Sequence, residues 1–296
     1  MQRYGRSRIN PNVPDVNTDW YGEILRESPQ QSHSLTVSGG NERATYSVAA
    51  SYFDQEGILD MKNSYERFNL RSRIDYQAND WLKIGGNMIL SNATRYAPDQ
   101  SAWFRAYFAV PIMPAYDATN PAATPLALAN AQDLGYRGGQ NPLSSTQFSD
   151  DRTQSKNVLA NFYLQAGIIP GKLTFKTAYN HNYTANNIRN VRLPYFVGND
   201  YQRPDAYLTR ITQNISNQIW DNTLTFTESF GNHNLEVLGG ASYRDEAFQQ
   251  LSAQGLNFPI ENESTWYINQ SETIPVDAVG DGGARNYGLS YFGRVA

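Results

Sequence analysis

The sequence predicts an all-β, antiparallel fold that forms part of a transmembrane β-barrel. Apolar and polar residues alternate along about nine segments, and short turns and long polar loops alternate between these segments. Tyrosine is abundant, with 20 Tyr against 13 Phe. Because tyrosine joins an apolar ring to a polar hydroxyl, it suits a boundary between water and an apolar phase.

The alternation is clearest in residues 44–53. One face of this segment carries Tyr46, Val48, Ala50 and Tyr52. The opposite face carries Thr45, Ser47, Ala49 and Ser51. The same period of two runs through residues 34–38, 65–77, 81–92, 156–169, 172–184, 213–229, 234–245 and 285–296. Most segments have about 10–14 residues, more than the 5–6 common in globular sheets and enough for the 9–11 that cross a bilayer at a tilt.

Two segments add detail to this reading. In residues 65–77 the face opposite the apolar one carries Arg67, Asn69, Arg71, Arg73 and Asp75. So many polar groups on one face indicate a water-filled or plugged lumen rather than a dry core. In residues 213–229 the apolar phase slips between Ile219 and Trp220, which predicts a bulge.

The connections follow the plan of an outer-membrane barrel. Short turns are predicted at residues 39–43, 78–80, 170–171 and 230–234. Long loops are predicted at residues 54–64, 93–155, 185–212 and 247–284. Long loops without structure are uncommon in compact soluble domains. Outer-membrane barrels have short periplasmic turns and long extracellular loops.

Composition restricts the function further. The chain of 296 residues has no cysteine and a net charge of −4, which excludes a disulfide scaffold and gives no basic footprint for nucleic acid. Mean hydropathy is −0.59, and the longest apolar stretch, residues 106–116, is interrupted by Pro111 and Pro114. It is too short for a membrane helix, but a membrane barrel needs only every second residue to be apolar.

Aromatic residues in the predicted loops are the candidate contacts with a ligand or partner. Asp99 is placed to cap a short helix through Val110. The candidates are Trp103, Phe104, Tyr107, Phe108, Tyr195, Phe196, Trp266 and Tyr267. Helical spacing places Trp103 with Tyr107 and Phe104 with Phe108. Such rings either stack on sugars or grip peptides and partner proteins, or pack the loops against the barrel.

A second set of aromatic residues is expected at the membrane interface. It comprises Tyr46, Tyr52, Tyr76 and Trp81. Trp81 follows a short predicted turn, where the aromatic girdle of a membrane barrel belongs.

No catalytic or metal-binding pattern is present. His33, His181 and His233 lie in different segments without ligand spacing, so no metal or other cofactor is predicted. Glu261 and Glu263 have the residue type of a glycosidase pair, but nothing in the sequence positions them and they are expected to be solvated loop carboxylates. The chain is therefore predicted not to be an enzyme.

Five stretches of the chain resemble one family of outer-membrane proteins. They are NTDWYGEILRE (17–27), LTVSGGNERATYSVAASYFDQEGIL (35–59), YERFNLRSRIDYQANDWLKIGGNM (65–88), PIMPAYD (111–117) and SYFGRV (290–295). In type and order they resemble the SusC/RagA family, the TonB-linked outer-membrane transporters of Bacteroidota. The combination of GGN, the FDQEG hairpin and the RFNLR strand is the most specific part of this resemblance.

The resemblance implies an outer-membrane location in a Gram-negative bacterium and a barrel of about 22 strands, plugged by an N-terminal domain. It also implies TonB-driven import of oligosaccharides or peptides. The implied partners are a SusD-like surface lipoprotein acting as a lid, the TonB complex and the lipid of the outer membrane. A soluble all-β surface module that binds glycans remains the alternative, because a sheet with one face in water shows the same alternation.

The sequence departs from the family pattern in what it lacks. No signal peptide, TonB box or plug domain is recognisable, and MQRYGRSRIN has no apolar core. The chain is therefore expected to be an internal piece, with residues 1–33 connecting plug to barrel and residues 34–296 forming the N-terminal part of the barrel. On its own this piece is expected not to insert or transport, because open strand edges leave backbone groups unpaired in lipid. Residues 34–38 pose a question of direction: they are either the first strand or the exit from the plug, in which case 44–53 comes first.

Overall fold

A nine-stranded antiparallel sheet dominates the computed structural model, which describes residues 14–119, 122–136, 139–260 and 263–296. The elements in chain order are α1 (Trp20–Ile24), β1 (Gln30–Gly40), β2 (Ala44–Glu56), β3 (Ser64–Asn79), β4 (Leu82–Ala97), α2 (Ser101–Phe108), α3 (Leu143–Gln147), β5 (Ser149–Ile169), β6 (Leu173–Arg192), β7 (Tyr195–Gly198), β8 (Tyr201–Arg203), β9 (Tyr207–Phe230), β10 (His233–Leu256) and β11 (Val279–Val295). The order in the sheet is β1-β2-β3-β4-β5-β6-β9-β10-β11, and β7 pairs with β8 in a separate hairpin. Consecutive strands of the large sheet therefore pair with each other. The β7–β8 hairpin is inserted between β6 and β9, which also pair.

The register brings the apolar residues of all nine strands onto one face. Leu70 pairs with Ala50 on β2 and Leu90 on β4. Leu90 pairs in turn with Val158 on β5. Four residues further along β5, on the same face, a parallel row runs through Phe162, Tyr179, Trp220, Tyr243 and Leu289. Because successive side chains on a strand point to opposite faces, the polar residues that alternate with these apolar ones share the other face. We call the first face the apolar band and the second the polar face.

The apolar band is exposed. Phe68, Ile74, Phe162 and Trp220 each leave about half of their surface uncovered. Within the described residues, the second sheet is the β7–β8 hairpin, and its residues pack with α1, α2 and the β4–β5 loop. A contiguous apolar surface larger than a few hundred Å² is uncommon on a soluble monomer and marks a surface covered by something else.

Short turns join the strands at one end of the sheet. The Asn41 side chain accepts hydrogen bonds from the backbone N–H of Arg43 and Ala44, at 2.9 and 2.8 Å, and so closes the β1–β2 turn. The β5–β6 and β9–β10 turns contain Gly171 and Gly231 with φ of 70° and 58°. Glycine is suited to these positions because a Cβ atom disfavours positive φ.

The strands extend beyond the boundaries predicted from sequence. The predicted loops 93–155, 185–212 and 247–284 each contain strand residues at both ends, because β6 continues to Arg192 and β10 to Leu256. The prediction ended a strand where apolar alternation ended. Backbone pairing does not depend on that alternation and continues into residues that are polar on both faces.

Two further expectations are corrected. Residues 34–38 lie in β1, which pairs with β2 over its full length and runs toward the short-turn end. The alternative in which 44–53 is the first strand of the sheet is therefore wrong. The predicted bulge at Ile219 and Trp220 is also absent from the described residues, because the register of β9 is continuous with both neighbours. Trp220 lies on the apolar band, and Ile219 is an apolar residue on the polar face.

The long-loop end carries a folded layer rather than extended loops. Its larger core is formed by residues from α1, α2, the β2–β3 loop, the β4–β5 loop and the β7–β8 hairpin, and includes Trp20, Ile24, Leu59, Met113, Leu128 and Tyr195. A smaller core contains Val191, Ala206, Leu208, Phe258 and Trp266. We call this structure the loop layer. None of the helices in the described ranges is long and apolar enough to cross a membrane.

Candidate functional site

Helix α2 lies at the surface of the loop layer, with one face on the core and the other in contact with solvent. The Asp99 carboxylate accepts a hydrogen bond from the Ser101 N–H at 2.9 Å, which satisfies one unpaired donor of the first turn. The N-cap residue is Gln100, however, and its side chain forms no capping hydrogen bond, so the predicted cap at Asp99 lies one residue outside the observed one. The helix ends at Phe108, before the predicted Val110, and the Ala109 N–H closes it on the Arg105 carbonyl. Its buried face is formed by Ala102 and Ala106, whose small side chains let the helix approach the core closely.

Three aromatic rings project from the opposite side of α2. Phe104, Tyr107 and Phe108 are 68%, 72% and 53% exposed. The ring centroids of Phe104 and Phe108 are 4.6 Å apart, and those of Tyr107 and Phe108 are 5.0 Å apart in an edge-on arrangement. We call these residues the aromatic patch. It is a surface on which a sugar ring or an apolar side chain can stack.

Trp103 does not share the environment of Tyr107, although helical spacing places them one turn apart. Trp103 is partly buried against the larger core, with its ring centroid 6.2 Å from that of Tyr21. Arg105 anchors the same side of the helix through hydrogen bonds to the Ser144 hydroxyl and, at 3.1 Å, to the Tyr201 hydroxyl. This anchoring holds the aromatic patch toward solvent.

The β7–β8 hairpin places Tyr195 in the core and Phe196 at its margin. Tyr195 is 7% exposed, stacks on Phe148 at 5.0 Å and meets Tyr201 edge-on at 5.5 Å. Burial raises the pKa of Tyr201, and its hydroxyl donates to the Asn141 carbonyl at 2.8 Å. These contacts fasten the hairpin to the β4–β5 loop.

Trp266 and Tyr267 take opposite positions in the β10–β11 loop. Trp266 is 5% exposed and packs edge-on against Phe258 at 5.8 Å, with the Arg189 guanidinium 4.9 Å from its ring centroid. Tyr267 is mostly exposed, and the Arg210 guanidinium is 5.1 Å from its centroid. The accessible candidates are thus the aromatic patch and Tyr267, with Phe196 half-buried.

Ion pairs among four charged side chains connect the β2–β3 and β10–β11 loops to strands β5 and β6. Lys62 of the β2–β3 loop contacts Asp150 of β5 at 2.6 Å and Glu263 of the β10–β11 loop at 3.0 Å. Arg189 of β6 contacts the same two carboxylates, each at 2.6 Å. The Arg189 and Asp150 side chains are almost fully buried. We call these four residues the ionic cluster; by alternation its two strand residues lie on the same side of the sheet as the apolar band.

Glu263 is not the solvated carboxylate expected from the sequence. Partial burial alone would raise its pKa, but hydrogen bonds from Arg189 and Lys62 outweigh burial and lower the pKa to about 2. Glu261 lies outside the described residues. The expectation for Glu263 was wrong because its partners are at positions 62 and 189, and no local signal connects such distant residues.

The expected interface aromatics lie near both ends of the apolar band. Tyr46, Tyr76 and Trp81 are exposed at the short-turn end, and Tyr52 is half-buried toward the long-loop end. Trp81 occupies the turn between β3 and β4. In the described parts of the chain, no three His, Asp or Glu side chains are grouped as ligands for a metal ion.

These features define a class of protein. An antiparallel sheet with an exposed apolar band, a polar opposite face, short turns at one end and a loop layer at the other is part of the wall of an outer-membrane barrel. Such a wall needs lipid on one side and water or protein on the other.

The comparisons with known proteins agree with this class. No protein-family model matches the chain. It is 26% identical over 298 residues to TonB-dependent receptor P3 of Formosa agariphila, covering 88% of this chain and 27% of that protein. It is 23% identical over 308 residues to TonB-dependent receptor SusC of Bacteroides thetaiotaomicron, covering 97% and 29%. The chain thus spans less than a third of the curated relatives it matches.

Solved structures show the same fold. The RagAB peptide transporter superposes with a TM-score of 0.77 at 20% identity, covering 99% of this chain and 32% of that chain. The ferric citrate transporter FecA superposes with a TM-score of 0.50 at 14% identity, covering 91% and 33%. Together with the curated relatives, these matches confirm the resemblance to SusC/RagA-type TonB-dependent receptors.

Proposed function

We propose that this chain is part of a TonB-dependent importer of nutrients, oligosaccharides or peptides, in the outer membrane of a Gram-negative bacterium. The observation that carries the proposal is the apolar band, which crosses all nine strands and has no protein cover in the described residues. Lipid supplies that cover, and a polar face on the other side suits a lumen. The similarity to TonB-dependent receptors supports the same reading.

The partner we propose is a SusD-like surface lipoprotein that contacts the loop layer. The aromatic patch is the surface best suited to such a contact, because buried aromatic anchors dominate binding energy at protein interfaces. Tyr267 and Phe196 are further candidate contacts with the partner or the cargo. The proposed connection to the TonB complex rests on resemblance alone.

A soluble surface module that binds glycans is the second candidate. Its sheet would have to bury one face against another layer, as a sandwich does. The exposure of Phe162, Ile74 and Trp220 opposes it.

The test is uptake by cells that produce the complete protein containing this chain. We expect the protein in the outer-membrane fraction, and we expect uptake of labelled oligosaccharide or peptide pools to stop when the TonB complex is deleted. A protein recovered in the soluble fraction, or uptake independent of TonB, would contradict the proposal.

A patch variant tests the partner within the same experiment. Replacing Phe104, Tyr107 and Phe108 by Ala is expected to weaken co-purification of the lipoprotein about ten-fold or more, since anchor residues often contribute about 2 kcal/mol each. Insertion should be unaffected. The control is Tyr116→Ala, which removes an exposed ring from the same loop outside the patch. If the patch variant and the control co-purify with equal amounts of the lipoprotein, the aromatic patch is not part of the interface.

A further inference from the structure

A row of arginines follows the polar face of β3. Arg67, Arg71 and Arg73 are all exposed, and each alternates with residues of the apolar band. At about 3.3 Å per residue, the row from Arg67 to Arg73 is roughly 20 Å long.

The neighbouring strands supply no counter-charge to this row. Residues paired with the three arginines are Phe53, Ala49 and Ser47 on β2 and Ala93, Ile89 and Asn87 on β4. Arg73 contacts Asp75 at 2.9 Å. Among the described residues, Arg67 and Arg71 form no ion pair; Arg67 lies over the Tyr65 ring at 5.9 Å. The Asp75 carboxylate is shared, because it also accepts a hydrogen bond from the Tyr163 hydroxyl.

Further cations extend the row at both ends. Arg95 of β4 is opposite Tyr65. Toward the short turns, the ammonium groups of Lys83 and Lys176 lie 6.0 and 5.2 Å from the Tyr163 ring centroid. We call Arg67, Arg71, Arg73, Lys83, Arg95 and Lys176 the cationic track.

The cationic track runs the height of a membrane wall. Lys83 pairs with Gln77 and Arg95 with Tyr65, so the track covers on the order of 40 Å along β3. A strand tilt of about 40° reduces this to roughly the thickness of the bilayer core.

The charge excess is local. On β10 and β11 the polar face has paired charges, because Arg294 contacts Glu236 and Arg244 is 3.6 Å from Glu246. The whole chain is acidic, with a net charge of −4. Unneutralised like charges repel one another, and a surface lined by one sign of charge concentrates ligands of the other sign.

We propose that the polar face of β3 to β6 binds an anionic oligosaccharide, bearing carboxylate or sulfate groups, as the imported cargo. Guanidinium groups bind such planar or multi-oxygen anions through paired hydrogen bonds. Beside the apolar residues that pair with Arg67 and Arg71, the side chains around the track include hydroxyls and amides that match sugar hydroxyls, among them Ser47, Ser51, Asn69, Asn87 and Asn161. This inference rests on the proposed import function and adds its substrate class.

The test measures binding to the complete purified protein in detergent by calorimetry. The probes are hexagalacturonate, a sulfated heparin hexasaccharide, neutral maltohexaose and hexaglutamate. We expect at least one anionic saccharide to bind about ten-fold or more tightly than maltohexaose, given the usual strength of charged hydrogen bonds. Its affinity should fall between about 50 and 300 mM NaCl, because salt screens exposed charges.

Variants identify the residues responsible. Arg67→Gln combined with Arg71→Gln should weaken binding of the anionic saccharide about ten-fold or more. Arg67→Lys with Arg71→Lys should retain only part of the affinity, because an ammonium group keeps the charge but cannot form the paired hydrogen bonds of a guanidinium. The control is Lys156→Gln, which removes an exposed cation from the side of the apolar band. The melting temperature of each variant is measured in parallel.

Three results would overturn the inference: no preference for either anionic saccharide, affinity insensitive to the arginines, or preference for hexaglutamate. If the second result is accompanied by a lower melting temperature of the arginine variants, an acidic part of the protein itself covers the track. Measuring uptake of the probes distinguishes failure of this inference from failure of the proposed import function. TonB-dependent uptake of only neutral probes or hexaglutamate leaves the import function standing, whereas uptake of no probe and no nutrient pool overturns both.

Discussion

Leu164→Arg is expected to destabilise the membrane-embedded protein by about 2–4 kcal/mol, whereas Leu159→Arg is expected to cost no more than about 1 kcal/mol. Both leucines lie on β5 and are equally accessible, at 36% and 37% exposure. They differ in face: Leu164 pairs with Ile84 on the apolar band, and Leu159 pairs with Ile89 and Asn182 on the polar face. An arginine in lipid loses its hydration, whereas one on a wet face does not.

Urea unfolding of the complete protein in lipid vesicles measures this difference. The two variants carry the same substitution on the same strand, so β propensity and lost leucine contacts are closely matched. Equal destabilisation by both would mean that the two faces meet the same environment.

Arg189→Met is expected to destabilise the loop layer by about 2–3 kcal/mol, because the buried Asp150 carboxylate loses one of its two cationic partners and keeps Lys62. Arg189 contacts Asp150 and Glu263 simultaneously. The control is Lys172→Met, which breaks the Lys172–Glu228 pair at the more exposed short-turn end and is expected to cost at most about 1 kcal/mol. Hydrogen exchange of backbone amides in residues 57–63 and 263–270 measures the opening of the layer.

The same ionic cluster gives the layer a dependence on pH. The pKa of Glu263 is lowered from its ordinary 4.5 to about 2 in the folded protein. A carboxyl with a lowered folded pKa stabilises the fold above its unfolded pKa, and that stabilisation is lost as pH falls through the folded value. Amide protection in the two segments should therefore decline between about pH 4.5 and 2. In the Glu263→Gln variant, amide protection should be lower at neutral pH and should decline less as pH falls. A decline as steep as in the unmodified protein would mean that groups other than Glu263 cause the pH dependence.

The sequence predicted the large sheet well because the deciding signal is local. Alternation in residues 44–53 and 65–77 is read without knowing the partner strands, and the register then joins the two apolar rows. Trp220 shows the limit of this signal. Its neighbour Ile219 is apolar but lies on the polar face, so the apolar phase slipped in the sequence while the backbone remained regular.

The loop layer was predicted only in part because its contacts join distant segments. A capping residue at Asp99 predicted the helix, and helical spacing predicted that Phe104 and Phe108 share a face, where their rings are in contact. Which rings are exposed depends on the side of α2 that packs on the core, and Ala102 and Ala106 mark that side through a core that includes the distant residues Met113, Leu128 and Leu143. The ionic cluster had no signal at all, because its four residues are separated by long stretches of chain.

The central claim is that the apolar band faces lipid, and site-directed spin labelling tests it most directly. This chain has no cysteine of its own. Any cysteine elsewhere in the complete protein is first replaced by serine, and single cysteines are then introduced at each position from 158 to 166 and labelled. In lipid vesicles, labels at even positions should collide with oxygen dissolved in the bilayer, and labels at odd positions should collide with a water-soluble nickel complex. The account predicts this alternation with a period of two and with Phe162 in the lipid phase. Water accessibility at the even positions, or no alternation, would contradict it.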